Sequence, residues 1–368
     1  MNVIEKDQST ASENAVLAQM FELGHEQVVF CNDKATGLRA IIGIHNTVLG
    51  PALGGTRMWN YASEEEALRD VMRLSRGMTY KAAVSGLNLG GGKAVIIGDA
   101  RTQKNEALMR RFGKFVDSLA GKYITAEDVG MTTLDMEYIH NETEHVVGIP
   151  ETLGGGGDPS PVTAYGVYMG MKASAKQAWG NDLLNGKKIV VQGVGNVGSH
   201  LIDYAIKEGA KVWVSDIFED KIKAITDKYP GVKVLQPHEI FDAEMDIYAP
   251  CALGATLNDD TINRLKCQVV SGAANNQLLD EEKHGNLLVE KGIFYAPDFL
   301  INAGGVINCF AELEGYNRER AIAKTEHIYD TTLNIYKLAA DQGINTNRAA
   351  MQLAEKRISD IGKVKLGY

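Results

Sequence analysis

Two residues in the first half of the chain have the types and settings that proton-transfer chemistry needs. Lys93 follows three consecutive glycines, Gly90–Gly92, and precedes the apolar run AVII, while Asp128 follows the short apolar run YIT and lies near Gly130. A lysine removed from water has its pKa lowered toward neutrality, which is the useful range for a general acid or base. A carboxylate at the end of a strand can be a second proton-transfer group or can simply cap a turn, and both alternatives stay open for Asp128.

The glycines before Lys93 do not form a phosphate loop. The pattern GxxxxGK[ST] would require glycine at position 87 and serine or threonine at position 94, where the chain has leucine and alanine. Because glycine lets a ligand approach bare backbone, we expect this segment to border a cleft for a small substrate.

A second lysine ends a helix with one apolar face. The residues Ser63 to Glu66 have the S-x-x-E form of a capping box, and apolar residues follow at helical spacing, namely Ala67, Val71, Leu74 and Met78. Lys81 lies fourteen residues after Ala67, close to the same face. A lysine in this position often extends its ammonium to solvent, so its spacing alone does not assign it a role.

A dinucleotide site is predicted in the second half of the chain. The apolar strand IVVQ is followed by GVGNVG, which has the G-x-G-x-x-G form and opens a helix whose free N–H groups can bind phosphates. Asp216 ends the next strand, 18 residues after the last of these glycines, so it can bind a ribose 2′-hydroxyl and favours NAD over NADP. The alternative is a strand–helix turn without a ligand. The predicted binding residues are Gly193, Val194, Gly195, Asn196, Val197, Gly198 and Asp216.

Three further segments follow strands of this half: APCALG, GAANN and INAGG. Ligands of open parallel sheets bind at the carboxyl ends of the strands. We therefore predict that Ala274, Asn275 and Asn302 also contact the cofactor, the asparagines through its amide or ribose.

The order of elements predicts two α/β domains. Residues 28–33, 40–46 and 94–100 are predicted strands, and the segment LGGGGDPSP marks a hinge, after which Ser160 caps a helix with Pro161 at its first position. Strands and helices then alternate strictly, which predicts a doubly covered parallel sheet. The predicted domains are 1–150 with C-terminal helices 335–368, and 151–334.

Composition excludes several classes of protein. The 38 basic and 47 acidic residues give a net charge of −9, which argues against nucleic acid or an anionic membrane as partner. The four cysteines and eight histidines show no metal-ligand spacing, so no metal is expected, and the cysteines suit free thiols in a reducing compartment. With neither a secretory signal in the first twenty residues nor an apolar run long enough to span a bilayer, we expect a cytoplasmic protein.

The sequence resembles the glutamate/leucine/phenylalanine/valine dehydrogenase family over nearly its whole length. The blocks that carry the resemblance are long: GPALGGTRMW, RGMTYKAA, GLNLGGGKAVIIGD, YITAEDVG, PSPVTAYGV, QGVGNVG, DIYAPCALGA, INAGGVIN and GYNRER. It implies an N-terminal α/β substrate and oligomerisation domain and a Rossmann-type dinucleotide-binding domain, separated by a cleft, in a homo-oligomer, specifically an octamer. It also implies NAD-linked oxidative deamination of an L-amino acid to a 2-oxo acid and ammonia. Lys81 would pair with the substrate carboxylate, and Lys93 and Asp128 would transfer the protons.

Leu53 is the clue to the substrate side chain. Glutamate-specific members of the family have a lysine at this position, so here a side-chain carboxylate would be buried without a partner. An aliphatic pocket favours leucine, isoleucine and valine. Because one methylene changes the transition-state binding free energy by only about 1–3 kcal/mol, overlap among these substrates is expected. An aromatic substrate such as phenylalanine, or a non-catalytic nicotinamide-binding sensor, are the alternatives. The predicted substrate-binding residues are Leu53, Gly54, Gly55, Met78, Lys81, Thr163 and Val306.

Overall fold

The computed structural model describes residues 16–365. Residues 1–15, which belong to the segment searched for a secretory signal, lie outside the described residues. So do residues 366–368 of the predicted C-terminal helices. The described chain forms two compact units. The first unit runs to Thr79 and includes Leu89–Val146, and the second contains Tyr80–Asn88 and the residues from Val147 onward. The two-domain α/β class predicted from the sequence is confirmed.

The first unit is a mixed sheet with helices. In chain order its elements are α1 (Val16–Leu23), β1 (Gln27–Asp33), β2 (Leu38–Asn46), β3 (Ala52–Trp59), α2 (Glu64–Val84, whose last turn groups with the second unit), β4 (Gly90–Ile97), α3 (Glu106–Asp117), β5 (Tyr123–Glu127) and α4 (Thr133–His140). The strand order is β1-β2-β4-β3-β5, with β2 antiparallel to both β1 and β4, and β3 parallel to both β4 and β5.

Helix α2 begins as its sequence predicts. The Ser63 hydroxyl accepts a hydrogen bond from the Glu66 backbone N–H at 3.1 Å, and the Glu66 carboxylate accepts the N–H of Ala62 at 2.8 Å. Ala67 and Val71 on its apolar face are fully buried. These caps and the buried stripe fix the helix that covers one face of the sheet.

Strand β3 was not predicted from the sequence. Its neighbouring glycines, Gly54 and Gly55, weaken a strand pattern because glycine contributes no side chain and loses more entropy on ordering. In the fold both glycines are buried between β4 and β5, where close packing requires them. A Cβ on Gly54 would come within 1.7 Å of the Gly92 carbonyl oxygen.

The second unit is built on a fully parallel sheet, as predicted. Its elements are α5 (Ser160–Trp179), β6 (Lys188–Gln192), α6 (Asn196–Lys207), β7 (Lys211–Ser215), α7 (Glu219–Lys228), β8 (Lys233–Val234), β9 (Ile247–Pro250), α8 (Asp259–Arg264), β10 (Val269–Val270), α9 (Glu281–Glu290), β11 (Phe294–Tyr295), α10 (Asp298–Ile301), α11 (Gly304–Leu313), α12 (Arg318–Gln342) and α13 (Thr346–Lys365). The strand order β11-β10-β9-β6-β7-β8 places β6, the strand before the glycine-rich turn, in the middle of the sheet.

The start of α5 differs by one residue from the prediction. Ser160 is the first residue of the helix rather than its cap, and no side chain caps at Pro159. Instead, the Asp158 carboxylate accepts a hydrogen bond from the Ser160 N–H at 2.9 Å. The helix still begins next to the proline pair, because proline is accommodated in the first turn.

The C-terminal helices group differently from the predicted domains. The structure places residues 335–365 in the second unit, since α12 packs along α5 and α13 packs against α9 and α12. The Arg357 guanidinium on α13 donates hydrogen bonds to the carbonyl oxygens of Ala83 and Leu87, at 3.3 and 2.6 Å, and this joins Tyr80–Asn88 to the same unit. Within residues 16–365, no helix is both long enough and apolar enough to cross a bilayer.

Candidate active site

A buried ion pair joins the two predicted proton-transfer residues. Lys93 on β4 has its Nζ 2.5 Å from Oδ2 of Asp128, which directly follows β5. The Lys93 side chain is only 8% exposed and that of Asp128 is 23% exposed. Charges held partly out of water in this way interact strongly.

Gly55 makes that ion pair possible. Strand β3 lies between β4 and β5, so Lys93 and Asp128 must meet across it. Gly55 pairs with Ala126 of β5, and a Cβ on Gly55 would lie 2.9 Å from Cβ of Asp128 and 2.6 Å from the Glu127 carbonyl oxygen. A side chain at position 55 would therefore displace the residues that place the Asp128 carboxylate next to Lys93.

A third charged residue, which the sequence did not single out, reaches the same carboxylate. The Arg57 Nε lies 3.4 Å from Oδ2 of Asp128, and Nη1 of Arg57 donates a hydrogen bond to Oδ2 of Asp70 at 2.9 Å. The Tyr61 hydroxyl donates to the same Asp70 oxygen at 2.7 Å. Leu53, Gly55 and Arg57 alternate along β3, so the period of two places them on one face of the sheet. That alternation was the available sequence signal.

The electrostatics of the site keep Asp128 ionised. Burial alone would raise the pKa of the Asp128 carboxyl, but the positive charges of Lys93 and Arg57 outweigh it and hold this pKa below its ordinary value. Asp128 is therefore a carboxylate at neutral pH. It also accepts a hydrogen bond from the Val129 backbone N–H, and its part in proton transfer stays a prediction.

The glycines before Lys93 allow close packing inside the first unit. Gly90, Gly91 and Gly92 are buried within β4, and a Cβ on them would meet, respectively, the Asn46 carbonyl at 2.0 Å, Thr79 at 2.1 Å and the Tyr123 ring at 2.7 Å. Protein atoms fill the space that their side chains would occupy. These residues let the strands and helix α2 approach closely. That their backbone also borders a substrate cleft stays a prediction.

The residues predicted to line the side-chain pocket belong to different units. Leu53 is 2% exposed and Met78 is half-buried, and both belong to the first unit. Val306 on α11 and Thr163 on α5 belong to the second unit, where the Thr163 hydroxyl donates to the Pro159 carbonyl oxygen at 2.9 Å. Their assembly into one pocket stays a prediction.

Three predicted residues are brought together in the second unit. The Lys81 Nζ donates to Oδ1 of Asn275 at 3.1 Å, and Nδ2 of Asn302 donates to the same oxygen at 2.8 Å. Oδ1 of Asn302 is buried without a hydrogen-bond partner among the described residues. Ala274 is buried beside them, with its N–H donated to the Pro250 carbonyl oxygen. In this cluster the Lys81 ammonium could bind a carboxylate, and Oδ1 of Asn302 could accept a hydrogen bond from an amide N–H.

The glycine-rich turn has the features that a pyrophosphate requires. Gly193 has φ 101°, in the left-handed region, and a Cβ on Gly198 would lie 2.1 Å from the Gly193 carbonyl oxygen. By contrast, a Cβ on Gly195 would meet nothing within 4 Å. Gly195 precedes the first turn of α6, where N–H groups and the helix dipole attract anions. Of the three glycines, this one leaves open space for a ligand.

Asp216 closes the same site at the end of β7. Its carboxylate accepts hydrogen bonds from the backbone N–H of Val194 at 2.7 Å and of Phe218 at 3.0 Å. A pocket of about 340 Å³ contains Gly193, Gly195 and Asp216 in its lining, with Lys221 at one side. The predicted cofactor residues of the turn therefore lie together, and Val194 is linked to Asp216 directly. Among residues 16–365, no cluster of three or more histidine, cysteine, aspartate or glutamate side chains could hold a metal ion.

Comparison with known proteins identifies the family. A model described as "Glu/Leu/Phe/Val dehydrogenase, dimerisation domain" matches residues 25–145, and one described as "Glutamate/Leucine/Phenylalanine/Valine dehydrogenase" matches 154–218 and 214–364. The chain belongs to the Glu/Leu/Phe/Val dehydrogenase family. It is thus an amino-acid dehydrogenase, and the sensor alternative no longer applies.

Individual members of the family refine this result. The chain is 57% identical to leucine dehydrogenase of Thermoactinomyces intermedius over 94% of each sequence, and 48% identical to phenylalanine dehydrogenase of Bacillus thermotolerans over 99% of this chain and 95% of that one. Its fold matches the crystal structure of L-tryptophan dehydrogenase from Nostoc punctiforme with a TM-score of 0.83, at 45% identity, covering 94% of this chain and 99% of that one.

Proposed function

We propose that the protein catalyses the reversible, NAD-dependent oxidative deamination of L-leucine, isoleucine and valine to 2-oxo acids and ammonia. The observation that carries the proposal is the buried Lys93–Asp128 pair on the sheet that also holds Leu53. The identity of 57% to a leucine dehydrogenase supports the same substrate class.

Each side chain has a role in this reaction. Lys81, whose ammonium already binds an amide oxygen, pairs with the substrate carboxylate. NAD supplies the acceptor for the hydride that leaves the substrate Cα. Asp128, held ionised by its neighbours, takes a proton from the substrate ammonium, and Lys93 activates the water that adds to the iminium carbon. The water oxygen becomes the carbonyl oxygen of the 2-oxo acid as ammonia departs.

The residues of the glycine-rich turn fit the dinucleotide. The open space at Gly195 and the start of α6 suit the pyrophosphate, and Asp216 suits a ribose hydroxyl. The buried, unpartnered Oδ1 of Asn302 suits the donor N–H of a carboxamide. These features support NAD as the cofactor.

Leu53 supports an aliphatic substrate. Its side chain is 2% exposed and offers no charge to a second carboxylate, so glutamate would bury an unpaired anion. We further propose a cytoplasmic homo-oligomer. The match of residues 25–145 to a dimerisation domain supports assembly, and an octamer is the expected size, to be measured by light scattering.

The test is NADH formation with a panel of L-amino acids. Leucine should give the highest kcat/KM, with isoleucine and valine within one or two decades and glutamate negligible. Higher kcat/KM for phenylalanine or tryptophan than for leucine would favour the aromatic alternative instead. Equal rates with leucine and glutamate would contradict the role of Leu53.

A further inference from the structure

The charge network around Asp128 contains one cation that cannot lose its proton. Lys93 and Arg57 contact the same carboxylate oxygen, Oδ2 of Asp128. Lys93 can take a proton from water only in its neutral form, whereas a guanidinium stays charged under all conditions that proteins meet. The two cations are therefore not equivalent during the reaction.

We propose that Arg57 is a positioning residue that keeps Asp128 ionised and oriented while Lys93 is neutral. This inference rests on the proposed function, since it concerns the proton transfers of that reaction. Without Arg57, a neutral Lys93 would leave the Asp128 carboxylate with no counter-charge. Asp128 would then already be protonated and could not take the proton of the substrate ammonium.

The orientation of Arg57 is itself fixed. Its Nη1 donates a hydrogen bond to Oδ2 of Asp70 on α2, and the Tyr61 hydroxyl donates to the same oxygen. The Arg57 side chain is 24% exposed and that of Asp70 is 15% exposed, so neither is freely solvated. The guanidinium is therefore hydrogen-bonded to Asp70 through one nitrogen and in ion-pair contact with Asp128 through another. Asp70 and Tyr61 thus hold the arginine that holds Asp128.

The other titratable groups near Asp128 do not replace this charge. Tyr123 lies on β5 with its hydroxyl donated to the Gly54 carbonyl oxygen, and burial raises its pKa far above neutrality, so it stays uncharged. Glu127, the preceding residue, accepts a hydrogen bond from the Thr133 hydroxyl and, as a carboxyl group, supplies no positive charge. Only Lys93 and Arg57 contribute positive charge directly to the Asp128 carboxylate among the described ion pairs.

The test compares the pH dependence of kcat/KM for leucine oxidation in wild type and Arg57→Met. Loss of an adjacent guanidinium should raise the Asp128 pKa by about 1–3 units, because an arginine neighbour lowers a carboxyl pKa by that amount. The acid limb of the profile should shift to higher pH by the same interval, and activity should recover toward wild type in alkali. An Arg57→Lys variant, which keeps the charge, should restore part of the shift.

Arg73→Met is the matched control. Arg73 also contacts Asp70, at 3.4 Å, but its side chain is 63% exposed and has no contact with Asp128 among the described ion pairs. Its profile should superimpose on that of wild type. An Arg57→Met enzyme whose rate falls equally at every pH, or whose acid limb does not move, would overturn the proposal and leave Arg57 a structural residue.

A readout without turnover separates this inference from the proposed substrate. Thermal midpoints of wild type, Arg57→Met, Asp128→Asn and the double variant form a double-mutant cycle. Arg57→Met should lower the midpoint less in the Asp128→Asn background, where the partner charge is already absent. Additive effects would refute the coupling whatever the substrate. Wild type that oxidises no aliphatic amino acid would refute the proposed function alone.

Discussion

Replacing Asp128 with asparagine should abolish turnover and also destabilise the protein. The carboxylate neutralises a lysine that is 8% exposed and contacts Arg57 as well, so Asp128→Asn leaves two close cations in a largely dry site. Removing one partner of a buried pair costs about 3–5 kcal/mol, and the partial exposure of Asp128 reduces this to roughly 2–4 kcal/mol. At about 2–4 °C per kcal/mol for a domain of this size, the thermal midpoint should fall by roughly 4–16 °C.

The cost should depend on which charge is removed. Lys93→Met leaves Asp128 paired with Arg57, so it should destabilise less than Asp128→Asn. The double variant Lys93→Met/Asp128→Asn removes both members, and it should be more stable than Asp128→Asn alone. We would measure the free energy of unfolding by urea titration at fixed protein concentration, because assembly makes the apparent stability depend on concentration.

The Lys104–Asp135 pair provides the control. Its two atoms are 2.7 Å apart with side chains 20% and 5% exposed, in the same unit and outside the site. Asp135→Asn should cost at least as much stability, since Asp135 also caps α4, yet keep kcat at a temperature where it is folded. Asp128→Asn with wild-type stability, or with measurable turnover from neutral to strongly alkaline pH, would refute the reasoning.

Three further predictions concern other residues. Leu53→Lys should weaken leucine turnover, because it buries an unpaired ammonium, and should give only slight glutamate activity in a competition assay. Asp216→Ser should relax the preference for NAD over NADP, measured as the ratio of the two kcat/KM values; since Asp216 also binds the Val194 N–H, NAD affinity should fall too. Burial and the neighbouring His25 lower the pKa of His45 to about 4, so the unfolded state binds more protons below its ordinary pKa of 6.5. Stability should therefore fall as pH drops from 6.5 toward 4, and less steeply in His45→Gln, as judged by thermal midpoints against pH.

Local signals in the sequence were sufficient for much of the fold. The serine and glutamate before α2, and the G-x-G-x-x-G turn after an apolar strand, each depend on contacts within a few residues. The start of α5 differed by one residue because Asp158, rather than Ser160, supplies the acceptor. Helix ends shift by one or two residues in this way when a neighbouring side chain supplies the acceptor.

The remaining features depend on contacts between distant segments. Strand β3 was missed because its two glycines look unfavourable until β4 and β5 close around them. The use of Gly90–Gly92 for packing, and the contact of Arg57 with Asp128, likewise appear only when the strand order is known. The grouping of α12 and α13 with the second unit follows from helix packing that no local pattern encodes.

Because of Gly55, activity should depend on the correct register of strand β3 in the sheet. The lysine and the aspartate come from strands on either side of β3, and they meet only where β3 presents a residue without a side chain. A slip of β3 by one residue that brings Thr56 into the gap would also turn Leu53 and Arg57 to the opposite face. Misregistered chains would then keep near-native circular dichroism but lack activity. During refolding, the return of turnover should lag behind secondary structure and report the moment at which the central strand finds its register.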